Sequence, residues 1–109
     1  MTANIQLPSK QVADVLVAVF PFQDQMAFGE FINGAIVTVI LYTGTDPSPS
    51  AILSGLPNYT SSGGLSVSQT LINGVSGNVY QLVCSVSTTL GNTFTNQGYL
   101  AVINAADMF

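Results

Sequence analysis

From Val79 to Thr88 the chain alternates strictly. Tyr80, Leu82, Cys84, Val86 and Thr88 share one side of an extended backbone, and Val79, Gln81, Val83, Ser85 and Ser87 share the other. Successive side chains of a strand point to opposite faces, whereas a helix brings residues three and four apart together. A run of this kind buries one coherent face only as a strand. Leu65–Leu71 repeats the pattern, with Leu65, Val67 and Leu71 against Ser66, Ser68 and Thr70. Other apolar stretches are rich in Val, Ile, Thr, Tyr and Phe, which suit a pleated surface. No segment carries a convincing helical period.

The remaining strands follow from the same reading. Val15–Phe22 is expected to open the sheet structure, and Pro21, which lacks an N–H, places that end at a sheet edge or bulge. Ala35–Tyr42 is apolar almost throughout, a pattern that predicts a strand covered on both faces. Ile52–Leu56 and Thr93–Ile103 complete the set. Thr43–Ser50 and Pro57–Gly64 read as loops, while Asn73-Gly74 and Leu90-Gly91-Asn92 supply turn chemistry. The expected fold class is all-β, an immunoglobulin-like antiparallel β-sandwich of about seven strands, with a small antiparallel barrel as the competitor. Val37, Val39, Leu41, Tyr80, Leu82, Cys84 and Val86 are expected to point into one core. Residues 1–9 are read as an N-terminal arm and 10–109 as a single domain.

Composition narrows the function. The chain has one Lys+Arg, five Asp+Glu and no His, so 6% of residues are charged, against about a quarter in an ordinary soluble domain. Its surface must be neutral and partly apolar, which suits a subunit packed in an assembly. One cation and a pI near 4.1 offer nothing to a phosphate backbone, so nucleic acid is excluded as a partner. The greasiest window, Ile32–Tyr42, falls short of the roughly 20 residues that a helical membrane span needs. The opening residues have neither a basic nor an apolar leader region, and no signal peptide is expected.

Two stretches carry a resemblance. Lys10-Gln-Val-Ala-Asp-Val-Leu16, Phe20-Pro-Phe22 and Gly29-Glu-Phe-Ile32 resemble the opening of the fiber-tail adaptor family, small immunoglobulin-like virion proteins of tailed bacteriophages. Asn73-Gly-Val-Ser-Gly-Asn-Val-Tyr80, the alternating strand after it, Gly91-Asn92 and the last strand to Val102 look like that family's glycine-rich turn, tyrosine-led strand and closing hairpin. The likeness spans residues 9 to 104. It departs at Thr93–Tyr99, which is neutral here and tends to be charged in the family. The resemblance implies a structural protein of the virion, located at the tail or neck and made in the host cytoplasm. It would join tail fibers to the tail tube or nozzle as part of a homo-oligomeric ring. A capsid decoration protein and a carbohydrate- or surface-binding module, in which Tyr42 and Tyr59 stack on sugar, are the alternatives.

Catalysis is hard to build from this inventory, because the usual bases and nucleophile activators are missing. Asp24 and Glu30 flank one loop and read as solvated charges or rim contacts rather than an acid–base or metal pair. Cys84 reads as a buried structural thiol, and Asn58-Tyr-Thr60 as a chance match to the glycosylation sequon. No enzyme activity, cofactor or metal is expected. What remains is surface for protein contact: Ile5 and Leu7 of the arm, docking on a neighbour by sheet-edge addition, Thr45 and Asp46 in the first long loop, and Tyr59 in the second.

Overall fold

Eight strands form two packed sheets in the computed structural model, which describes residues 2–7, 9–60 and 63–103. Met1 and Pro8 of the expected arm, Ser61 and Ser62 of the second loop, and residues 104–109 lie outside the described residues, as does the side chain of Ile5. The strands are β1 Thr2–Gln6, β2 Lys10–Gln11, β3 Leu16–Pro21, β4 Ile32–Thr43, β5 Leu53–Asn58, β6 Ser66–Leu71, β7 Val79–Thr88 and β8 Thr93–Ile103. One sheet has the order β1-β8-β7-β4, with β2 also on β8, and the other the order β3-β6-β5. Short 3-10 turns at Gln23–Gln25 and Pro49–Ile52 are the only helical segments among the described residues.

This is the sandwich that the alternation required. The order β3-β6-β5 facing β4-β7-β8 corresponds to strands B-E-D and C-F-G of an immunoglobulin-like domain. Phe20 and Phe22 enter the core from one sheet, and Tyr80, Leu82, Cys84, Val86, Leu100 and Val102 from the other. Of the expected core, Val37, Tyr80, Leu82, Cys84 and Val86 are buried, and Val39 and Leu41 are half-buried against it. Burial pushes the Cys84 thiol up to about 12, so it stays protonated and inert. Pro21 closes β3, which is an edge strand, and its carbonyl accepts a 2.6 Å bond across the sandwich from buried Asn96.

Three expectations are corrected. The sandwich is not wholly antiparallel: β1 and β2 both run parallel to β8. Thr2–Gln6 of the expected N-terminal arm therefore pair with the domain's own sheet, with Ile5 registered on Gly98, and Leu7 is half-buried against the core. Nor is β4 covered on both faces. Val37 points inward, but Ile36, Ile40 and Tyr42 are exposed on the outside, because β4 ends its sheet and the second sheet covers only one face.

Candidate interaction surfaces

Among the described residues, the charged side chains are absent from every strand but β2. Both outer sheet faces are consequently neutral, and each carries bare apolar groups. On the β4-β7-β8 face these are Ile36, Ile40, Tyr42 and Tyr99; on the β3 face, Val17 and Val19. Large exposed apolar surface is normally a contact surface.

The charges that do exist mostly serve the loops at the two ends. At one end, the β3–β4 connection returns to the core through Glu30, a buried carboxylate. Its Oε1 accepts the Ala27 N–H at 2.9 Å, and its Oε2 accepts the Asn92 amide at 2.8 Å and the Thr88 hydroxyl. The expected solvated charge is thus a clamp. Asp24, its supposed partner, is exposed on the 3-10 turn. Among the described residues no group of three or more potential metal ligands occurs.

The clamp fixes a tight turn over Ala27–Glu30, in which the Glu30 N–H bonds the Ala27 carbonyl at 3.0 Å. Gly29 is third, at φ +81°, the conformation that favours glycine at that place in a type II turn. Phe28, second in the turn, is completely exposed. Phe31, bonded through its backbone to Thr89, and Leu90, at the tip of the β7–β8 turn, are exposed beside the same clamp residues. An aromatic ring projected from a turn that is already rigid loses little entropy on docking.

Glu30 carries a pH signature. The Thr88 hydroxyl above all, then the Ala27 N–H and the Asn92 amide, hold its carboxyl below the ordinary 4.5, against the opposing effect of burial. A carboxyl depressed in the folded state contributes stability that is complete above its unfolded pKa and is lost as pH falls through the folded value. Urea midpoints of the wild type should therefore decline as pH drops below about 4.5, and Glu30→Gln should flatten that part of the profile while lowering the plateau. Equal acid slopes for the two proteins would place the linkage elsewhere.

The opposite end is pinned by Tyr80 and Lys10. Tyr80 Oη accepts the Val75 N–H at 2.9 Å and donates to Asp46 Oδ2 at 2.7 Å, the corner that immunoglobulin-like sandwiches build near the start of strand F. Burial, followed by the bond to Asp46, raises its pKa. Asp46 also accepts the Ser48 N–H, and Asn78 grips both the N–H and the carbonyl of Thr45. Thr45 and Asp46 are therefore held to the domain, with the Thr45 side chain still exposed. Lys10 is buried, and its Nζ donates to the carbonyls of Gln11, Val12 and Asn73 at 2.7, 3.1 and 2.6 Å. Burial lowers its pKa, partly offset by Asp14.

The structure does not gather into one patch the expected contact residues whose side chains it describes, Leu7, Thr45, Asp46 and Tyr59. Tyr59 lies at the Glu30 end, half-buried against the core, with its hydroxyl donating to the Asn33 carbonyl at 3.2 Å; Thr45 and Asp46 lie near Tyr80 at the other end. Sequence reasoning passed over Phe28, Phe31 and Leu90. The available signal was an aromatic residue beside a turn glycine, outside any alternating run. Comparison with protein-family models, curated proteins and solved structures finds no match to this chain.

Proposed function

We propose that the chain is a structural protein of a tailed-bacteriophage virion, an adaptor that attaches tail fibers to the tail or neck. Its partners in this reading are other virion proteins, the tail fiber and the tail tube or nozzle, and it works as a homo-oligomeric ring in which symmetry multiplies individually weak contacts. The observation that carries the contact role is Phe28, an exposed aromatic on a turn clamped by a buried carboxylate. The choice of partners rests on the resemblance at Lys10–Leu16, Phe20–Phe22 and Gly29–Ile32.

A capsid decoration role would use the same neutral faces and differs in copy number, many sites over the shell against one ring. The sugar-binding alternative draws less support. Tyr59 packs on the core and spends its hydroxyl on Asn33, and Tyr42 meets Tyr99 edge-on, with centroids 4.9 Å apart and rings inclined at 66°. Neither arrangement offers a flat stacking platform.

Phe28→Ser tests the reading. The ring touches little of its own domain, so stability should change by no more than about 0.5 kcal/mol. Loss of a central aromatic anchor typically costs about 2 kcal/mol or more of binding. Virions carrying the variant should lack the protein or its fibers; normal incorporation with fibers attached would remove Phe28 from the interface.

A further inference from the structure

We propose that two copies of this chain associate through β4, pairing edge to edge and antiparallel about a two-fold axis at Thr38. The inference stands on the sheet edge alone and does not depend on the virion reading.

Folded β-proteins protect exposed edges with short strands, prolines, bulges or lysines, because an unpaired row of N–H and C=O groups is a template for another strand. Three of the four sheet edges here show such devices. Strand β1 has five residues, and β2, which succeeds it on the same side of β8, has two. Strand β3 ends on Pro21. Strand β5 contains Pro57 and loses its register with β6 between Ser54 and Asn58. Strand β4 has twelve residues and no proline or charge, and its register shifts against β7 fall only at its two ends, at Ile32/Gly34 and Leu41/Thr43. Among the described residues its outer backbone is hydrogen-bonded only at its start, where the Ile32 N–H bonds the Gly64 carbonyl and the Asn33 carbonyl accepts Tyr59. From Gly34 to Leu41 its pairing with β7 is unbroken, and among the described residues nothing pairs with the other side.

A second copy fits this edge for three reasons. Residues directly opposite in an antiparallel pair share a face, so a two-fold at Thr38 sets each Ile36 against Ile40 of the other copy on the outside. Inside, it sets Val37 against Val39 and small Ala35 against large Leu41. Ala35, Val39 and Leu41 are the half-buried members of this strand's inner row, and the partner strand would finish covering them. Charge points the same way. A chain of net charge −4 repels its own copies over most approaches, and β4 offers an approach with no charge. The extent is adequate too, since an eight-residue edge supplies about eight backbone hydrogen bonds, within the usual complement of about ten for a stable interface. The product is one continuous sheet of ten strands, five from each copy, with the exposed isoleucines of both copies merged in a single stripe.

Sedimentation velocity of the full chain should give a species of twice 11.4 kDa. Thr38→Lys sets two ammonium groups across the axis and should weaken association roughly 100-fold. Val17→Lys, which places the same charge on the exposed face of β3, should leave the dimer intact. Under oxidising conditions Thr38→Cys should cross-link two chains, with buried Cys84 remaining a spectator in the wild type. A monomeric wild type would overturn the proposal, as would a dimer indifferent to Thr38→Lys or one that Thr38→Cys does not cross-link. Each of these readouts is made on the isolated chain, so failure leaves the adaptor reading to its own test in particles.

Discussion

Leu82→Ala should destabilise the domain by about 2–5 kcal/mol. Leu82 lies mid-way along β7 with no solvent exposure. It is flanked on the same inward row by Tyr80 and Cys84 and registered with Val39 on one side and Gly98 on the other. Gly98 has no side chain with which to fill a void, so truncation removes the leucine's transfer free energy and leaves a cavity that the two paired sheets cannot collapse without breaking register. The control is Ile36→Ala, on the outer row and 67% exposed, for which the monomer should lose less than about 0.5 kcal/mol. Denaturant titration of both variants reads the difference. A Leu82→Ala loss as small as that of Ile36→Ala would mean that the inward and outward faces of the sheet have been exchanged.

The success of the sequence reading at β7 and its failure at β4 have one cause. Alternation identifies a face only where the two rows differ in polarity, as Tyr80, Leu82 and Val86 differ from Gln81, Ser85 and Ser87. In β4 both rows are apolar, Val37 and Val39 inside and Ile36 and Ile40 outside, and a fully apolar run fits a doubly covered strand equally well. Local turn chemistry was legible in the same way. Asn73 and Gly74 both take positive φ, +54° and +98°, as the dipeptide implied. The clamps were not legible, because their partners are remote: Glu30 meets Thr88 and Asn92, 58 and 62 residues onward, and Lys10 meets Asn73, 63 residues onward. A lone charge in a loop gives no local sign of whether the fold will supply donors and acceptors for it.

The placement of the contact residues follows from that limit. Loops of unusual length invite the inference of binding, and Thr43–Ser50 was singled out on that ground. In the folded chain this loop spends Asp46 on Tyr80 and the Thr45 backbone on Asn78, so much of its polarity maintains the corner. The shorter Ala27–Glu30 turn does the reverse. Its polar groups face the core, and its one large apolar side chain faces solvent. Exposure of an aromatic group depends on which member of a turn is clamped, a tertiary fact that loop length does not contain.

The corner itself should be most sensitive at Gly44, where Gly44→Ala is expected to cost about 2–5 kcal/mol from two sources. Gly44 has φ +108°, a region that an alanine enters at about 1–2 kcal/mol. Its new methyl group would also fall inside the Asn78 carboxamide, 2.5 Å from Cγ and 3.2 Å from Cα, and such overpacking adds about 1–3 kcal/mol. Asn78 has little freedom to retreat. Its side chain holds the Thr45 N–H and carbonyl and reaches Tyr80 Oη at 3.4 Å, while its backbone bonds Val75 and Val102. Asn78→Ala alone should also destabilise, by leaving Thr45 without those partners, but it removes the obstacle. In that background Gly44→Ala should cost only the strain, so the double variant should be more stable than the sum of the single losses by about 1–3 kcal/mol. Strict additivity in urea denaturation would show that the methyl group and the carboxamide never compete for the same space, and the corner would then be held by backbone geometry alone.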